Sequence, residues 1–396
     1  MYCMPKSGKA MSGWRSYWWG IWIVLSLLLA ACGPGGGSSS TSGSGGTDTQ
    51  NEGVDVPDLK TVEEVLAHIE GLDPAQRKAV LEAGAKKENA AVNYYSTMNE
   101  DDLQSLQEAL AKSYPWLKVQ AWRGDESDLI TRLTNEFRAG ANKVDVFTIE
   151  TQYSYDLGQE GIIASYTPPN IDEFPEGLYD PDGMWVAQQA QPVSLTWNTS
   201  KIDAADLPNT WEDLTDPKYS GRFSLGTDDN ELLFYWQGVF GKEKGTELAE
   251  GIAANKPNLV RGTSNQVQLL SAGEFDFSAA ITEHSTLRFV KQGAPLDFKY
   301  LEGAPVFVKT EGIFLAKNAP SPYSAVLMMD WLTSVDGQQA VADMGRPAAL
   351  PTVKFPMERQ GEVLQTHELW SANPNEFGPV VEEISAEYNR IFGLTQ

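Results

Sequence analysis

The sequence predicts an α/β protein of two lobes joined by two extended segments. Three observations lead to this prediction: strand-like and helix-like segments alternate from residue 90 onwards, the alternation occurs in two separate series, and two long extended segments lie between the series. Such alternation is typical of a parallel sheet covered by helices. Two series in one chain therefore predict two α/β lobes.

The first series consists of AAVNYYS, EDDLQSLQEALAKSY, KVQAWRG, DLITRLTNEFRAG and VDVFTIE. The second includes RFSLGT, NELLFYWQGVFG, NLVRGTS, NQVQLLSAG and FDFSAAI. The extended segments WVAQQAQPVSLTWN and PVFVKTEGIFLAKN are long enough to cross between lobes as a strand pair, which predicts a hinge at residues 192–198 and 305–314. We therefore assign residues 90–194 and 309–396 to lobe 1, and residues 195–308 to lobe 2.

Residues 57–89 predict a helical extension ahead of the first lobe. Apolar residues recur there at helical spacing, GLDP interrupts the pattern, and a second helix follows. The apolar stripe of these helices is expected to pack against the main body of the protein.

Residues 1–31 have the features of a secretory signal. Lys6, Lys9 and Arg15 precede the apolar run WWGIWIVLSLLLAA, which ends at Cys32. The run is shorter than the roughly twenty residues that a membrane-spanning helix needs. LAAC resembles the lipobox of bacterial lipoproteins, which implies that Cys32 carries lipid and anchors the protein outside the cytoplasm. Residues 32–56 are rich in glycine and serine and predict a flexible tether.

The composition excludes several classes of function. A formal net charge of −24 repels phosphate backbones, so no nucleic-acid partner is expected. The two cysteines, Cys3 and Cys32, belong to the signal and the lipid site, which leaves no thiol for disulfides or catalysis. The sequence lacks G-x-S-x-G and H-E-x-x-H motifs, and we expect no enzymatic activity.

From about Ala90 to Thr352 the sequence resembles the substrate-binding proteins of bacterial ABC importers, in the branch that includes the ferric-ion-binding proteins. The resemblance rests on the order and spacing of several segments: YYSTMNEDDLQSLQEALAKSYPWLKVQAWRGDESDLITRLTNEFRAGANKVDVFTIE, WNTSKI, LPNTWEDLTDPKYSGRFSLG, LLSAGEFDFSAAI and DWLTSVDGQQAVADMG. It implies a type II periplasmic-binding-protein fold that closes on a small solute by hinge bending. It also implies delivery of the solute to a membrane permease, and a monomer is expected.

Ligands of open α/β sheets bind beyond the carboxyl ends of the strands. This rule and the resemblance together select the candidate solute contacts Tyr95, Asn99, Glu150, Trp197, Asp228, Thr263, Glu283 and His284. Asp229, Tyr153, Trp122 and Trp236 are expected near them.

The resemblance also implies a set of metal ligands. Ferric-binding relatives supply a tyrosine pair and a carboxylate, often with a histidine. In this sequence Glu150 retains the carboxylate, and Asn99 stands where some relatives carry the histidine. Glu283 and His284 stand where those relatives have the tyrosine pair, which predicts Glu150, Glu283 and His284 as metal ligands and no tyrosinate-to-iron colour. The metal would be the transported solute, since no resident cofactor is expected.

Three alternatives to a metal ion stay open at the level of sequence. Carboxylates with aromatic rings also suit an organic cation such as thiamine or a polyamine. Arg123, in WRGDE, favours a phosphonate or carboxylate solute instead. A surface-anchored adhesion or scaffold module is the alternative from another class, and it predicts a macromolecular partner.

Overall fold

The computed structural model of the chain describes residues 56–394. The predicted signal at 1–31, the lipid site Cys32 and the tether as far as residue 55 lie outside the described residues. Between residues 56 and 394, no helix combines the length and apolar character needed to cross a membrane.

The described residues form a mixed α/β structure of two lobes. The elements that pack in lobe 1 are α1 (Val62–Ile69), α2 (Pro74–Lys87), β1 (Ala91–Ser96), α3 (Glu100–Ser113), β2 (Lys118–Arg123), α4 (Glu126–Arg138), β3 (Val146–Glu150), α5 (Ser154–Gln159), β4 (Ile163–Ala164), α10 (Pro322–Thr333), α11 (Val335–Asp343) and α12 (Val363–Thr366).

The elements that pack in lobe 2 are β6 (Phe223–Gly226), α6 (Asn230–Phe240), α7 (Lys242–Ala254), β7 (Asn258–Val260), α8 (Thr263–Ala272), β8 (Phe277–Thr282), α9 (Glu283–Lys291), β9 (Leu296–Lys299), β11 (Leu369–Trp370), α13 (Pro374–Phe377) and α14 (Val381–Phe392). The long strands β5 (Val186–Asn198) and β10 (Val306–Ala316) belong to both lobes.

One path of hydrogen-bonded strands runs through both lobes in the order β2-β1-β3-β10-β5-β8-β6-β7. The strands β2, β1 and β3 are parallel to one another, as are β7, β6 and β8. The crossing strands β5 and β10 are antiparallel to their neighbours on this path, and β10 also pairs in parallel with the short strand β11. This arrangement confirms the predicted two-lobed α/β fold with two crossover strands.

Strand β5 changes partners where the two lobes meet. Its residues from Val186 to Pro192 pair with β10, whereas its residues from Val193 to Asn198 pair with β8 and β9. The change falls at the start of the predicted hinge range, 192–198. Both crossing strands are almost entirely buried, so several of their polar residues, such as Gln188, Gln189 and Glu311, are buried with them.

The helical extension packs on lobe 1 through α10. Val80, Leu81 and Ala85 of α2 are buried in the same apolar core as Tyr323 of α10. The carboxylate of Glu88 accepts hydrogen bonds from the backbone N–H groups of Tyr323 and Ser324, so the extension also caps the amino end of α10.

A partly buried ion pair joins the same two helices. Arg77 on α2 makes a two-pronged contact with Asp330 on α10, at 2.7 and 2.8 Å. The hydroxyl of Tyr166 donates to the same carboxylate at 2.6 Å. Residues 57–89 are therefore held to lobe 1 by apolar packing and by charge.

The carboxyl-terminal helix α14 packs on lobe 2. Its buried residues Ile384, Tyr388 and Phe392 share one apolar core with Leu233 and Trp236 of α6. The prediction that 309–396 belongs entirely to lobe 1 is therefore wrong for its last part. The physical reason is the amphipathic face of α14, which covers α6 and α7.

The hydroxyl of Tyr388 donates to the backbone oxygen of Gly226 at 2.7 Å, at the buried end of β6. We expect Tyr388→Phe to lower the free energy of unfolding by about 1–2 kcal/mol, because the carbonyl loses its buried donor. Denaturant unfolding measures this difference. Tyr155→Phe is the matched control, since no described residue bonds to the Tyr155 hydroxyl, and an equal loss in both variants would contradict the expectation.

Candidate solute site

Five carboxylates from both lobes interact electrostatically near the crossing strands, and we call them the acidic cluster. Lobe 1 and the crossing strand β10 supply Glu126, Glu150 and Glu311, and lobe 2 supplies Asp229 and Glu231. Glu126 begins α4 and Glu150 ends β3. The two residues from lobe 2, Asp229 and Glu231, stand at the amino end of α6. The cluster therefore draws four members from strand and helix ends and the fifth, Glu311, from the middle of the crossing strand β10.

The strand register sets two of these carboxylates side by side. Glu311 of β10 lies directly opposite Glu150 of β3 in an antiparallel pair. Like charges in that position repel each other and destabilise the sheet. Glu311 is only 7% exposed, so water screens its charge poorly.

Burial is the main reason that three members of the acidic cluster hold protons unusually well. Burial as the largest cause, together with the charge of Glu150, raises the pKa of Glu126, Glu231 and Glu311 to about 7 each. A positive charge placed near such carboxylates stabilises their ionised form.

Lys309 is the cation in contact with the cluster. Its ammonium group lies 2.6 Å from an oxygen of Asp229, and this carboxylate with Glu231 and Glu150 raises the pKa of Lys309 despite its burial. Lys309 and Glu311 are two residues apart on β10, so both side chains leave the same face of the strand. Lys309, together with Arg346, which acts electrostatically on Glu311, does not balance five carboxylates, so the cluster keeps an excess of negative charge.

Polar side chains orient the cluster. Tyr153 donates to Glu126 at 3.2 Å, and Gln152 donates to Glu150 at 2.5 Å. Gln189 donates to Glu311 at 2.6 Å, while the side-chain oxygen of Gln189 is buried without a hydrogen-bond partner among residues 56–394. The cluster therefore contains an unused acceptor as well as excess negative charge, and both suit a bound cation.

A second feature between the lobes is a pocket of about 210 Å³ beside α9, which we call the α9 pocket. Lobe 1 contributes Asn99 and Asp102 of α3 and the turn after α11 that contains Arg346, and lobe 2 contributes His284, Arg288 and Lys291. Asn99 precedes α3 and caps it, because its side chain accepts a hydrogen bond from the backbone N–H of Asp102 at 2.9 Å. The structure thus brings together two predicted contacts, Asn99 and His284.

His284 is uncharged in this environment. Its Nδ1 atom is buried and has no hydrogen-bond partner in the described part of the chain. Burial as the largest cause, together with the nearby charges of Arg346 and Arg288, lowers the pKa of His284 to about 3. The imidazole therefore stays neutral throughout the physiological pH range.

The pKa of His284 predicts a stability difference that depends on pH. Because the folded-state pKa lies below the ordinary value of 6.5, the unfolded chain takes up a proton first, and stability is lost as the pH falls below 6.5. We expect His284→Gln to gain about 2 kcal/mol relative to the wild type between pH 7 and pH 5. Denaturant unfolding at both pH values measures the gain, with the exposed His68→Gln as control. A constant difference at the two pH values would contradict it.

Glu283 does not face the same space as His284. It is fully buried, and its carboxylate accepts hydrogen bonds from the Tyr300 hydroxyl and from the backbone N–H of Gly361. Consecutive residues of a helix point about 100° apart, so His284 can face the pocket only when Glu283 faces elsewhere. Glu283 holds the segment after α11 against lobe 2.

The predicted metal ligands Glu150, Glu283 and His284 are not assembled in this structure. Among residues 56–394, no group of three His, Cys, Asp or Glu side chains is placed to hold a metal ion. The physical reason is that Glu150 belongs to the acidic cluster and His284 to the α9 pocket, while Glu283 is buried against Tyr300.

Several predicted aromatic contacts are core residues. Tyr95 is 3% exposed and donates to Glu136 of α4 at 3.0 Å, with its ring 5.3 Å from that of Trp122. Trp197 and Trp236 are buried in the core of lobe 2. Of the predicted aromatic residues, Tyr153 reaches the acidic cluster through its hydroxyl.

The remaining predictions concern the amino ends of lobe 2 helices. Asp228 is exposed, and its neighbour Asp229 is the residue that contacts Lys309. Thr263 lines a cavity of about 10 Å³ with Asp229 and Lys309.

Arg123 is exposed and pairs with Asp125 at 2.8 Å.

Sequence reasoning missed Glu126, Glu231, Lys309 and Glu311. The last two carried a signal, because two charged residues stand inside the otherwise apolar strand VFVKTEGIFLA. A charge in a buried strand is rare unless it is paired or functional.

Comparisons with known proteins agree with this architecture. A family described as bacterial extracellular solute-binding protein matches residues 141–365. The chain is 26% identical over 272 residues to iron uptake protein A1 of Synechocystis, and the matched region covers 64% of this chain and 74% of that protein. It is 23% identical over 267 residues to the Fe(3+)-binding periplasmic protein of Serratia marcescens, covering 65% and 78%.

A solved structure of a Trichodesmium protein in complex with iron and citrate superposes with a TM-score of 0.65 at 19% identity, covering 76% of this chain and 99% of that one. This likeness confirms the type II periplasmic-binding-protein fold. Because the family match spans more than half of the sequence, the chain belongs to the bacterial extracellular solute-binding proteins.

Proposed function

We propose that the protein captures a cation between its two lobes and delivers it to an ABC permease, and that the cation is a metal ion. The acidic cluster carries this proposal, because its five carboxylates from both lobes outnumber the cations that act on them, Lys309 and Arg346, and gain a counter-charge when a cation enters. Iron is the first candidate, since it is named for the relatives in Synechocystis and Serratia marcescens. The proposed role is binding and delivery, without catalysis.

Carboxylate oxygens are hard donors and suit iron or manganese ions. In this proposal Glu150 meets the ion from lobe 1 and Glu231 meets it from lobe 2, so that binding draws the lobes together. Glu150 keeps the role predicted from the sequence, while the lobe 2 contacts move from Glu283 to the amino end of α6.

An organic cation such as thiamine or a polyamine is the second candidate. It is favoured by the lack, among residues 56–394, of a three-residue group placed for a metal ion. The partly exposed ring of Tyr153 beside Glu126 offers an aromatic face to such a cation.

Metal analysis of the purified protein and thermal-shift screening with iron, manganese, zinc, thiamine and spermidine test the proposal. We expect one of these cations to stabilise the wild type and the exposed control Glu274→Gln equally, and to stabilise Glu150→Gln less. X-ray scattering should show a smaller radius in the presence of that cation. If none of the cations binds, or if Glu150→Gln responds as the wild type does, the proposal fails.

We also propose that Cys32 carries lipid and that a monomer, anchored outside the cytoplasm, presents the solute to the permease. LAAC after a basic and apolar leader supports the anchor. Labelled fatty acid should enter the wild type and not Cys32→Ala, and equal labelling would exclude the anchor.

A further inference from the structure

Lys309 places a positive charge inside the acidic cluster. Its ammonium group lies 2.6 Å from an oxygen of Asp229. Its charge also acts on three other carboxylates of the cluster, Glu126, Glu150 and Glu231. A single ammonium group therefore interacts with carboxylates of both lobes, including the two that the proposed function assigns to the solute.

The side chain of Lys309 can withdraw only towards solvent. It is 24% exposed, and Lys309 is the one residue of β10 that is not fully buried. The cavity that it lines beside Asp229 has a volume of about 10 Å³, which holds one water molecule at most. A second cation does not fit beside the ammonium group in that cavity, whereas the flexible stem of lysine allows the ammonium group to leave.

A lysine among acids often serves only to pair with one carboxylate and hold two elements together. That explanation accounts for the contact between Lys309 and Asp229. It does not account for the other carboxylates around the same ammonium group. Burial raises the pKa of Glu126 and Glu231 to about 7 even though the charge of Lys309 opposes the rise. The cluster therefore accommodates more positive charge than Lys309 supplies.

We infer that the ammonium group of Lys309 is a resident counter-ion that the solute displaces, so that Lys309 selects for multiply charged cations. A singly charged cation would exchange one positive charge for another and would gain little electrostatic energy. A multiply charged cation would leave the carboxylates better neutralised after the exchange. The inference rests on the proposed function for the kind of solute, and it favours a metal ion or a polyamine over thiamine, which carries a single positive charge at neutral pH.

Calorimetric titration of the full-length protein with iron, manganese, zinc, spermidine and thiamine at pH 8 tests the inference. The wild type should bind a metal ion or spermidine and should not bind thiamine. Lys309→Met should bind the same multiply charged cation about tenfold more tightly or better, because no ammonium group has to be displaced. Lys242→Met is the matched control, because Lys242 forms an exposed ion pair with Glu383, and it should bind as the wild type does.

A double variant, Lys309→Met with Asp229→Asn, removes both partners of the contact and leaves neither unpaired, so it decides the question if Lys309→Met does not fold. Its net charge equals that of the wild type, so a difference in overall charge cannot explain a difference in binding. It should also bind the multiply charged cation more tightly than the wild type does. The inference is overturned if the folded variants bind that cation no more tightly than the wild type, or if the wild type binds thiamine as tightly as a metal ion or spermidine.

The same titrations separate this inference from the proposed function. If the wild type binds none of the cations while the variants without Lys309 bind one, the proposed function fails and the role of Lys309 as resident counter-ion stands. If the wild type binds a cation and the loss of the ammonium group leaves the affinity unchanged, the inference fails and the proposed function stands. If neither the wild type nor the variants bind any of the cations, both fail.

Discussion

Replacing Glu311 with glutamine is expected to stabilise the solute-free protein at pH 8 and to weaken its binding of a cation. Burial raises the pKa of Glu311 to about 7, so its contribution to stability is fully present below the ordinary pKa of 4.5 and is lost as the pH rises through 7. The variant avoids this loss, and we expect a gain of about 3 kcal/mol at pH 8. It should also form a second hydrogen bond with the unused oxygen of Gln189.

Denaturant unfolding at pH 5 and pH 8, with cation titration at pH 8, measures both effects. The gain should be small at pH 5, where the wild-type carboxyl is protonated. Glu274→Gln is the matched control, because the same change on the exposed surface should alter neither quantity. A variant that is less stable than the wild type at pH 8 would exclude electrostatic strain in the cluster.

Removing Arg77 is expected to destabilise the protein by about 3–5 kcal/mol, because Asp330 would keep its charge without a cation, with the Tyr166 hydroxyl as its remaining donor, in a site that is largely closed to water. The two side chains are 14% and 18% exposed. Arg138→Ala provides the control, since the pair Arg138–Glu160 is 67% and 33% exposed and should contribute about 0–1 kcal/mol.

Denaturant unfolding of both variants decides whether the helical extension is part of lobe 1. A large loss for Arg77→Ala in one cooperative transition would mean that residues 57–89 unfold together with α10. Equal, small losses in the two variants would mean that the extension contributes little to the stability of the lobe.

The fold could be predicted because its signals are local. The alternation of strand-like and helix-like segments predicted β1 to β3, and the two long extended segments predicted β5 and β10 as crossing strands. The return of the chain to lobe 2 could not be predicted. Residues 346–380 contain only short elements with little periodicity, so nothing in that stretch reports where α14 will pack.

The site was harder to predict than the fold because position along a chain does not give side-chain direction. The resemblance to the ferric-binding proteins pointed to Glu283 and His284, which stand at the start of α9, where His284 lines a pocket between the lobes. The resemblance could not decide which of these two consecutive helical residues would face that pocket. The side chain of Glu283 faces away from the pocket and contacts Tyr300.

The acidic cluster escaped prediction for a different reason. Glu126, Glu231 and Glu311 come from three elements that are far apart in sequence, and they meet only because β10 crosses between β3 and β5. The raised pKa of each group follows from burial, which a sequence does not report. Only the two charges within β10 could have suggested a site.

The first and last described helices lie on different lobes, α1 on lobe 1 and α14 on lobe 2. Neither lobe is a single continuous stretch of chain, so expressing the halves separately would divide both cores. The same arrangement allows closure of the two lobes to be measured by fluorescence. Fluorophores attached to cysteines introduced at the exposed positions Glu63 and Glu382 would lie on opposite lobes. Energy transfer between the two fluorophores would change with the angle of the hinge.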